Sequence, residues 1–517
     1  IIAKKEFLSN LMTFRFAVCT AVYLSLCTLF TWVLLKDYQR RLDDYQRSVN
    51  QSRSLLKEAR VYRNVRPIVH KPPEVLSVFG EGMEKRIKSS WEISIDHVPV
   101  LEGIYDVYNP LIVIFPAFDI TLLFKIIMSL LALLLTYDAI AGENERGTLG
   151  MILSNPVPRH QILLGKLSGS MLTLLLPISA SFVAIALILQ SSPSVSLSSS
   201  DWVRIGSMFA VSLIFVSFFL ISGLLFSVLI RRPSEVLVTC LFFWGITVFV
   251  IPGMSSVLAA RLRDIGSKNE VEAAVKEIRH KLDEKVRLFR DEHYPKELPM
   301  HSDVVSPLGY FTVNGTEHWM RYMQKVNSYE VPLRIEYAHR IWQIKENFIN
   351  GLRAQRNLAR ILSLISPVSM YQEVISALAR TDLSSFERFV ERTRAYRKEV
   401  IRYLRSKTGN FSSLSYFSVA TDRDVAEYTN AVLSLSYEPS EAEAWRRALD
   451  RAIGRWKYAK VEDFPPLDLD DMPVFTYKPE GISESLRKVS LNLGFLCLSC
   501  VLIFLIAYAR FLRYELR

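Results

Sequence analysis

The sequence predicts an all-α integral membrane protein: about six transmembrane helices plus a mainly helical extracytoplasmic domain. Three observations carry this reading. Hydrophobic residues make up 50% of the 517-residue chain while charged residues still supply 22%, a mixture that fits neither an ordinary soluble domain nor a bare membrane bundle. The apolar residues are gathered into runs long enough to cross a hydrocarbon core of roughly 30 Å at about 1.5 Å per helical residue. Most polar sequence falls into two long intervals, in which apolar residues recur at three- and four-residue spacing.

Residues 1–13 form an amphipathic start, with Phe7, Leu8, Leu11 and Met12 among Lys4, Lys5 and Arg15, suited to lie at the membrane interface. The Ile at position 1 implies a native start upstream. Spans follow at Phe14–Leu35, Leu111–Thr136, Leu167–Gln190, Val203–Ile230, Glu235–Ala259 and Leu491–Leu512. No cleavage pattern follows the first apolar run, so it stays as a membrane helix. An even number of spans puts both termini on one side. Lys4, Lys5 and Arg15 before the first span, Arg231 and Arg232 between the fourth and fifth, and Arg510, Arg513 and Arg517 at the end make that side cytoplasmic.

The same topology places residues 36–110 and 260–490 outside. Val271, Val275, Ile278 and Leu282 mark an amphipathic helix in the second of these, and similar stripes run through the stretches from Arg334 to Ile365 and Ser384 to Ser406. Pro465–Gly481, rich in Pro and Asp, reads as a strand or loop returning the chain to the last span. All five cysteines fall inside spans, leaving none to staple the external domain. Cys497 and Cys500 form a CxxC within a continuous apolar helix, where small packing residues are the commoner meaning.

Between the second and third spans lies a charged, Gly- and Pro-punctuated insert, YDAIAGENERGTLGMILSNPVPRHQILLGK, from Tyr137 to Lys166. A short polar segment between two spans must face water. Its parts come in a fixed order: a span ending in YDAI, then GENERGTL, a helix-like MILS, an NPVPR break, and ILLGK leading into the next span. This order resembles the permease subunits of ABC exporters of the ABC-2 class. RRPSEV (Arg231–Val236), ISPVSMYQEVISALARTD (Ile365–Asp382) and the tail FLRYELR strengthen the resemblance, which extends over all six spans. It points to the subgroup with large external insertions between helices 1 and 2 and helices 5 and 6.

The resemblance implies the ABC-2 exporter permease fold, an elbow helix over residues 1–13 and a coupling segment over 137–166. Within that segment Glu143, Glu145 and Arg146 supply charged contacts to an ATPase. Gly147 admits a turn, Thr148 joins the coupling contacts, and Leu149, Met151, Ile152 and Leu153 form an apolar ridge for a groove. Asn155, Pro156 and Pro158 then end the helix. The bland alternative is an ordinary polar loop that happens to carry charge.

No GxxxxGK[ST] phosphate loop occurs; LGKLSGS at Leu164–Ser170 lacks both its spacing and a preceding strand. Gly165, Ser168 and Gly169 there read as small residues that let helices approach. The resemblance therefore implies a separate ABC ATPase subunit in two copies, which binds ATP and Mg, with no cofactor in this chain. It also implies a second permease, identical or related, and a bacterial inner-membrane location with both termini cytoplasmic; the external domain would then receive cargo, guide it, or contact an envelope or periplasmic protein. The role is then to couple ATP hydrolysis to export. A mechanotransmission complex that moves an envelope partner without a transported substrate is the alternative.

Asp119 and Lys125 are the clearest charges within the predicted spans. Six residues apart, they do not face each other on one helix, whose neighbours lie three or four apart. Two readings stand: structural pairing with other elements, or a place on a translocation path. Catalytic readings are weaker. The eight histidines are scattered with no HExxH, Asp468, Asp470 and Asp471 lack calcium-loop spacing, and no GxSxG elbow occurs. The net charge of +11 comes from Lys and Arg interleaved with Asp and Glu, which argues against nucleic acid as a partner.

Overall fold

The computed structural model describes residues 2–101, 119–154, 157–295, 303–306, 309–312, 316–419 and 464–514, with isolated positions between 421 and 451. It is predominantly α-helical, and six of its helices are long and apolar enough to cross a membrane. Positions 111–118, where the second span was expected to begin, lie outside the described residues, as do Asn155, Pro156 and the end of the tail.

A short helix α1 (Ile2–Leu11) leads into α2 (Phe14–Lys57), capped by the Thr13 hydroxyl accepting from the Phe16 amide. The expected end of the first span at Leu35 is not a helix end. No Gly or Pro interrupts residues 36–57, so the helix runs 44 residues, about 66 Å, and its polar half emerges beyond the apolar layer. Arg41 ties that half to the segment after the helix, donating to Ser77 Oγ at 3.0 Å and pairing with Glu84 at 3.4 Å.

The second span is a composite of α3 (Ile120–Leu123), a π-helical turn (Phe124–Met128) and α4 (Ser129–Thr136). Two short helices follow, α5 (Ala141–Glu145) and α6 (Thr148–Ser154), then the third span α7 (Arg159–Gln190). The fourth, α8 (Ser199–Leu229), opens with a capping box in which Ser198 and Asp201 satisfy each other's amides. Pro233 starts α9 (Pro233–Gly245), which continues through a second π-helical turn (Ile246–Val250) into α10 (Ile251–Leu262).

Beyond the bundle, α11 (Lys268–His293) packs on α12 (Thr316–Ser363), with Leu282 and Val286 closing on Tyr337. The helix α13 (Pro367–Leu378) and the amphipathic α14 (Leu383–Lys407) come next. The described residues 464–481 hold no strand; they return as a loop to the last span, α15 (Ile482–Leu512). Tyr396 donates to the Pro473 carbonyl at 2.9 Å and Leu467 N to Ala59 O at 2.8 Å, which tie this loop down. Two antiparallel pairs complete the described structure: β1 (Ile68–His70) with β2 (Ser90–Glu92), and β3 (Asp303–Ser306) with β4 (Gly309–Thr312).

Two main cores result. One fills the bundle, from Tyr23 and Phe124 to Phe219 and Leu496. The other joins Trp91, Leu352, Phe386, Phe389 and Tyr416 outside it. Helix α13 belongs to the first: Tyr371 stacks on Phe215 with ring centroids 4.3 Å apart and meets Ser212 Oγ at 2.9 Å. A segment expected in the external domain is thus wedged among the spans, because Val368, Met370, Tyr371, Val374, Ile375 and Leu378 give it a broad buried apolar face opposite the polar stripe of Ser369, Gln372, Glu373 and Ser376.

Candidate functional site

The segment between the second and third spans packs at one end of the bundle. Its amide-rich start is satisfied from the fourth span, where Ser227 Oγ accepts from the Ile140 and Ala141 amides at 2.9 and 3.0 Å. Leu149 is 1% exposed and packs with Ile140, Ile162, Leu163, Leu224, Val228 and Phe511. Ile152 and Leu153 lie against the same cluster. The ridge expected to seat in a partner's groove therefore divides: these three face the bundle, and only Met151, 72% exposed, points outward.

Charges divide the same way. Glu145 and Arg146 are exposed on the turn at Gly147, whose φ of +72° is the left-handed conformation that Gly tolerates. Glu143 instead turns inward: Thr148 Oγ1 donates to its carboxylate, and Lys166 Nζ lies 3.5 Å from it. The same Lys166 stands 3.3 Å from Glu6 on α1. Neither Lys166 nor Glu6 stands out in the sequence as a functional residue. A Lys at the foot of a span and a Glu on an amphipathic helix are both visible there, but only the fold brings them together.

The approach of α1 to α7 depends on glycine. A Cβ at Gly165 would come within 2.8 Å of Ile2 Cγ2, and one at Gly169 within 2.6 Å of Glu6 Cβ and 2.8 Å of the Ala3 carbonyl. Gly165 and Gly169 of LGKLSGS are thus a helix-contact surface, whereas Ser168, grouped with them from the sequence, is exposed. Arg159, at the start of α7, donates to the Phe511 and Leu512 carbonyls at 2.8 and 2.6 Å, so the end of α15 joins the same platform.

Asp119 and Lys125 lie elsewhere, near the flanking domain. Asp119 is the N-cap of α3, accepting from Leu122 N at 2.9 Å and from Glu81 N at 3.1 Å. Lys125 Nζ donates to Gln372 Oε1 on α13 at 2.9 Å. Both line a cavity of about 410 Å³ between α3, the π-helical turn of the fifth span, the end of α12 and α13.

The ABC-2 family transporter protein model matches residues 1–516, essentially the whole chain. The chain belongs to that family: it is a multi-pass membrane protein of the transporter-permease type. Among curated relatives, the probable ABC transporter permease protein NosY of Stutzerimonas stutzeri is 50% identical over 68 residues, 12% of this chain and 25% of the relative. The protein of the same name from Pseudomonas aeruginosa is 48% identical over 69 residues, 13% and 25% of the two lengths. The matching region thus spans about a quarter of the length of these relatives.

Proposed function

We propose that this chain is the permease subunit of an ATP-driven exporter of a bacterial inner membrane, working with a separate ATPase. Two copies of that ATPase would hold ATP and Mg, and a second permease, identical or related, would complete the pathway. Both chain termini and the Tyr137–Lys166 segment would face the cytoplasm.

One observation carries the reading. The segment is a stiff platform: Leu149 and the Ser227 cap fix it to the bundle while Glu145, Arg146 and Met151 are exposed on its outer side. A rigid push delivered there would pass through Glu143 and Lys166 to α1 and the third span. Glu145, Arg146 and Met151 would make the ATPase contact, and Glu143 would transmit rather than bind.

A second reading, mechanotransmission onto an envelope partner without a cargo, draws on Arg204. This fully buried side chain of the fourth span donates to Leu378 O at 2.8 Å, Glu480 O at 2.6 Å and Ser485 Oγ at 3.1 Å. It locks α13 and the foot of the sixth span to the fourth, so bundle motion would reach the flanking domain directly.

The test is co-purification with candidate ATPase subunits and ATP hydrolysis in lipid nanodiscs, for the native chain and a Glu145→Ala/Arg146→Ala/Met151→Ala variant. Loss of the complex with an unchanged melting temperature supports the platform. A stable native chain that captures no ATPase would sink the exporter reading. Hydrolysis coupled to movement of the flanking domain, with no substrate stimulating it, would favour mechanotransmission.

A further inference from the structure

The cavity at the flanking-domain end of the second and fifth spans has an unusual wall. The two π-helical turns, Phe124–Met128 and Ile246–Val250, contribute to it from adjacent spans. Each such turn widens a helix locally and releases backbone groups from the regular ladder. Ser366 Oγ takes up the Thr247 carbonyl at 2.8 Å, and Trp244 Nε1 bridges to Ser129 Oγ at 2.9 Å. The distortions are therefore braced by specific partners, which marks the opening as a built feature.

Its charges are not balanced. The acids on the wall are occupied: Asp119 by two backbone amides, Glu373 by Asn492 Nδ2 at 2.7 Å, and Asp382 by the Ser384 and Ser385 hydroxyls. Lys125 donates to the neutral amide of Gln372 and lies in the field of the Asp119 carboxylate. Arg356 and Arg360, one turn apart on α12, line the cavity with no side-chain hydrogen bond or ion pair among the described residues. Four basic side chains, Arg86, Lys125, Arg356 and Arg360, thus line a space with three carboxylates, and among the described residues Arg356 and Arg360 have no carboxylate partner. Arg356 is half-buried while Arg360 is exposed at the mouth; a half-buried cation without an anion is costly, and an anionic ligand would relieve that cost.

The rest of the wall is apolar. Ile126, Val248, Phe249 and Pro252 lie beside the cations, and Phe249 is 54% exposed on the outer face of the fifth span. The apolar wall is therefore continuous with the surface that meets lipid tails. A volume of about 410 Å³ accommodates a polar head with the first part of an acyl chain and is far too small for a folded cargo.

We propose that this cavity binds an anionic amphiphile, its phosphate or carboxylate head on Lys125, Arg356 and Arg360 and its tail along the Phe249 face of the fifth span. The two arginines alone contribute roughly a tenfold or greater gain in affinity for an anionic over a neutral lipid. Binding does not require the ATPase, so this proposal and the exporter reading succeed or fail separately.

The experiment uses the full chain in neutral detergent and phosphatidylglycerol carrying a fluorescent acyl chain. Competition is measured against unlabelled phosphatidylglycerol, phosphatidylcholine and inorganic phosphate. Phosphatidylglycerol is expected to displace the probe at least tenfold better than phosphatidylcholine. Arg356→Gln/Arg360→Gln should weaken binding about tenfold, Arg356→Lys/Arg360→Lys should restore much of it, and Arg279→Gln/Arg287→Gln on the exposed face of α11 should have no effect. Equal displacement by phosphatidylcholine would overturn the proposal, as would unchanged binding by the Gln variant. Displacement by inorganic phosphate at the same concentration as lipid would also overturn it, assigning the cations to a soluble anion. Should the Gln variant unfold, the lipid comparison on the native chain decides alone.

Discussion

Lys166 Nζ lies 3.3 Å from the Glu6 carboxylate, joining the foot of the third span to the amphipathic N-terminal helix. Because Glu143 also reaches it, one ammonium bridges two carboxylates from different elements in a largely buried place, with Lys5 adding a second positive charge near Glu143. Lys166→Met would leave two carboxylates facing each other with only the more distant charge of Lys5 to offset them. Removing one partner of a buried ion pair costs about 3–5 kcal/mol. We expect a clearly lowered melting temperature in detergent and uncoupled ATP hydrolysis in nanodiscs, with Glu143→Gln milder than Lys166→Met in both. Equal melting of Lys166→Met and the native chain would contradict the latch.

Gly223 lets the fourth span touch the second. A Cβ there would overlap Thr136 Oγ1 and come within 3.3 Å of the Leu133 carbonyl. Gly223→Ala should cost about 1–3 kcal/mol by overpacking. Gly206→Ala, on the same helix but with open space around the new methyl, should be neutral or slightly stabilising. Thermal unfolding of the two variants side by side checks this, and an identical shift for both would remove the steric explanation.

Arg204 satisfies two carbonyls that have no water to turn to. Arg204→Leu keeps the volume roughly but strands the Leu378 and Glu480 carbonyls, a loss of about 2–4 kcal/mol. Limited proteolysis should then cut near the loop at 464–481 sooner than in the native chain. An unchanged digestion pattern would show that the two helices hold together without it.

Acid should loosen the flanking domain before the bundle. Burial alone would raise the Glu346 carboxyl, but hydrogen bonds from Arg353 at 2.8 Å and Arg394 at 2.6 Å, with their charges, hold it below its usual range. A carboxyl depressed in the folded state contributes stability above its unfolded pKa and loses it as pH falls through the folded value. Melting temperature should therefore drop as pH falls below about 4.5, and Glu346→Gln should be less stable at neutral pH with a flatter acid limb. A variant as acid-sensitive as the native chain would assign that limb to other carboxylates. Arg397, pushed down to about 10 by burial but bonded to the Ser94 and Ile95 carbonyls, stays charged throughout this range.

Length and apolar patterning made the six spans legible in the sequence, since a run such as Leu167–Gln190 has no soluble alternative. Turn chemistry also placed the charged segment that starts at Tyr137. Three things escaped. The polar half of α2 carries no breaker, and only the packing of Arg41 shows where it goes. Asp119 reads as an intramembrane charge until its capping of Leu122 is seen, although Asp before an apolar run is also an N-cap signal. The wedge α13 and the two π-helical turns depend on contacts between distant segments, Ser366 with Thr247 and Lys125 with Gln372, that no local pattern encodes.

Helix α12 has a mechanical consequence. Its 48 residues span about 72 Å, and its C-terminal end, with Arg356 and Arg360, borders the cavity beside the distorted turn of the fifth span. A tilt of about 5° at that foot would sweep the helix at Pro332, about 48 Å away, through roughly 4 Å. A sub-ångström rearrangement around a bound headgroup would thus be geared up into a displacement large enough to register on a body standing well clear of the membrane surface.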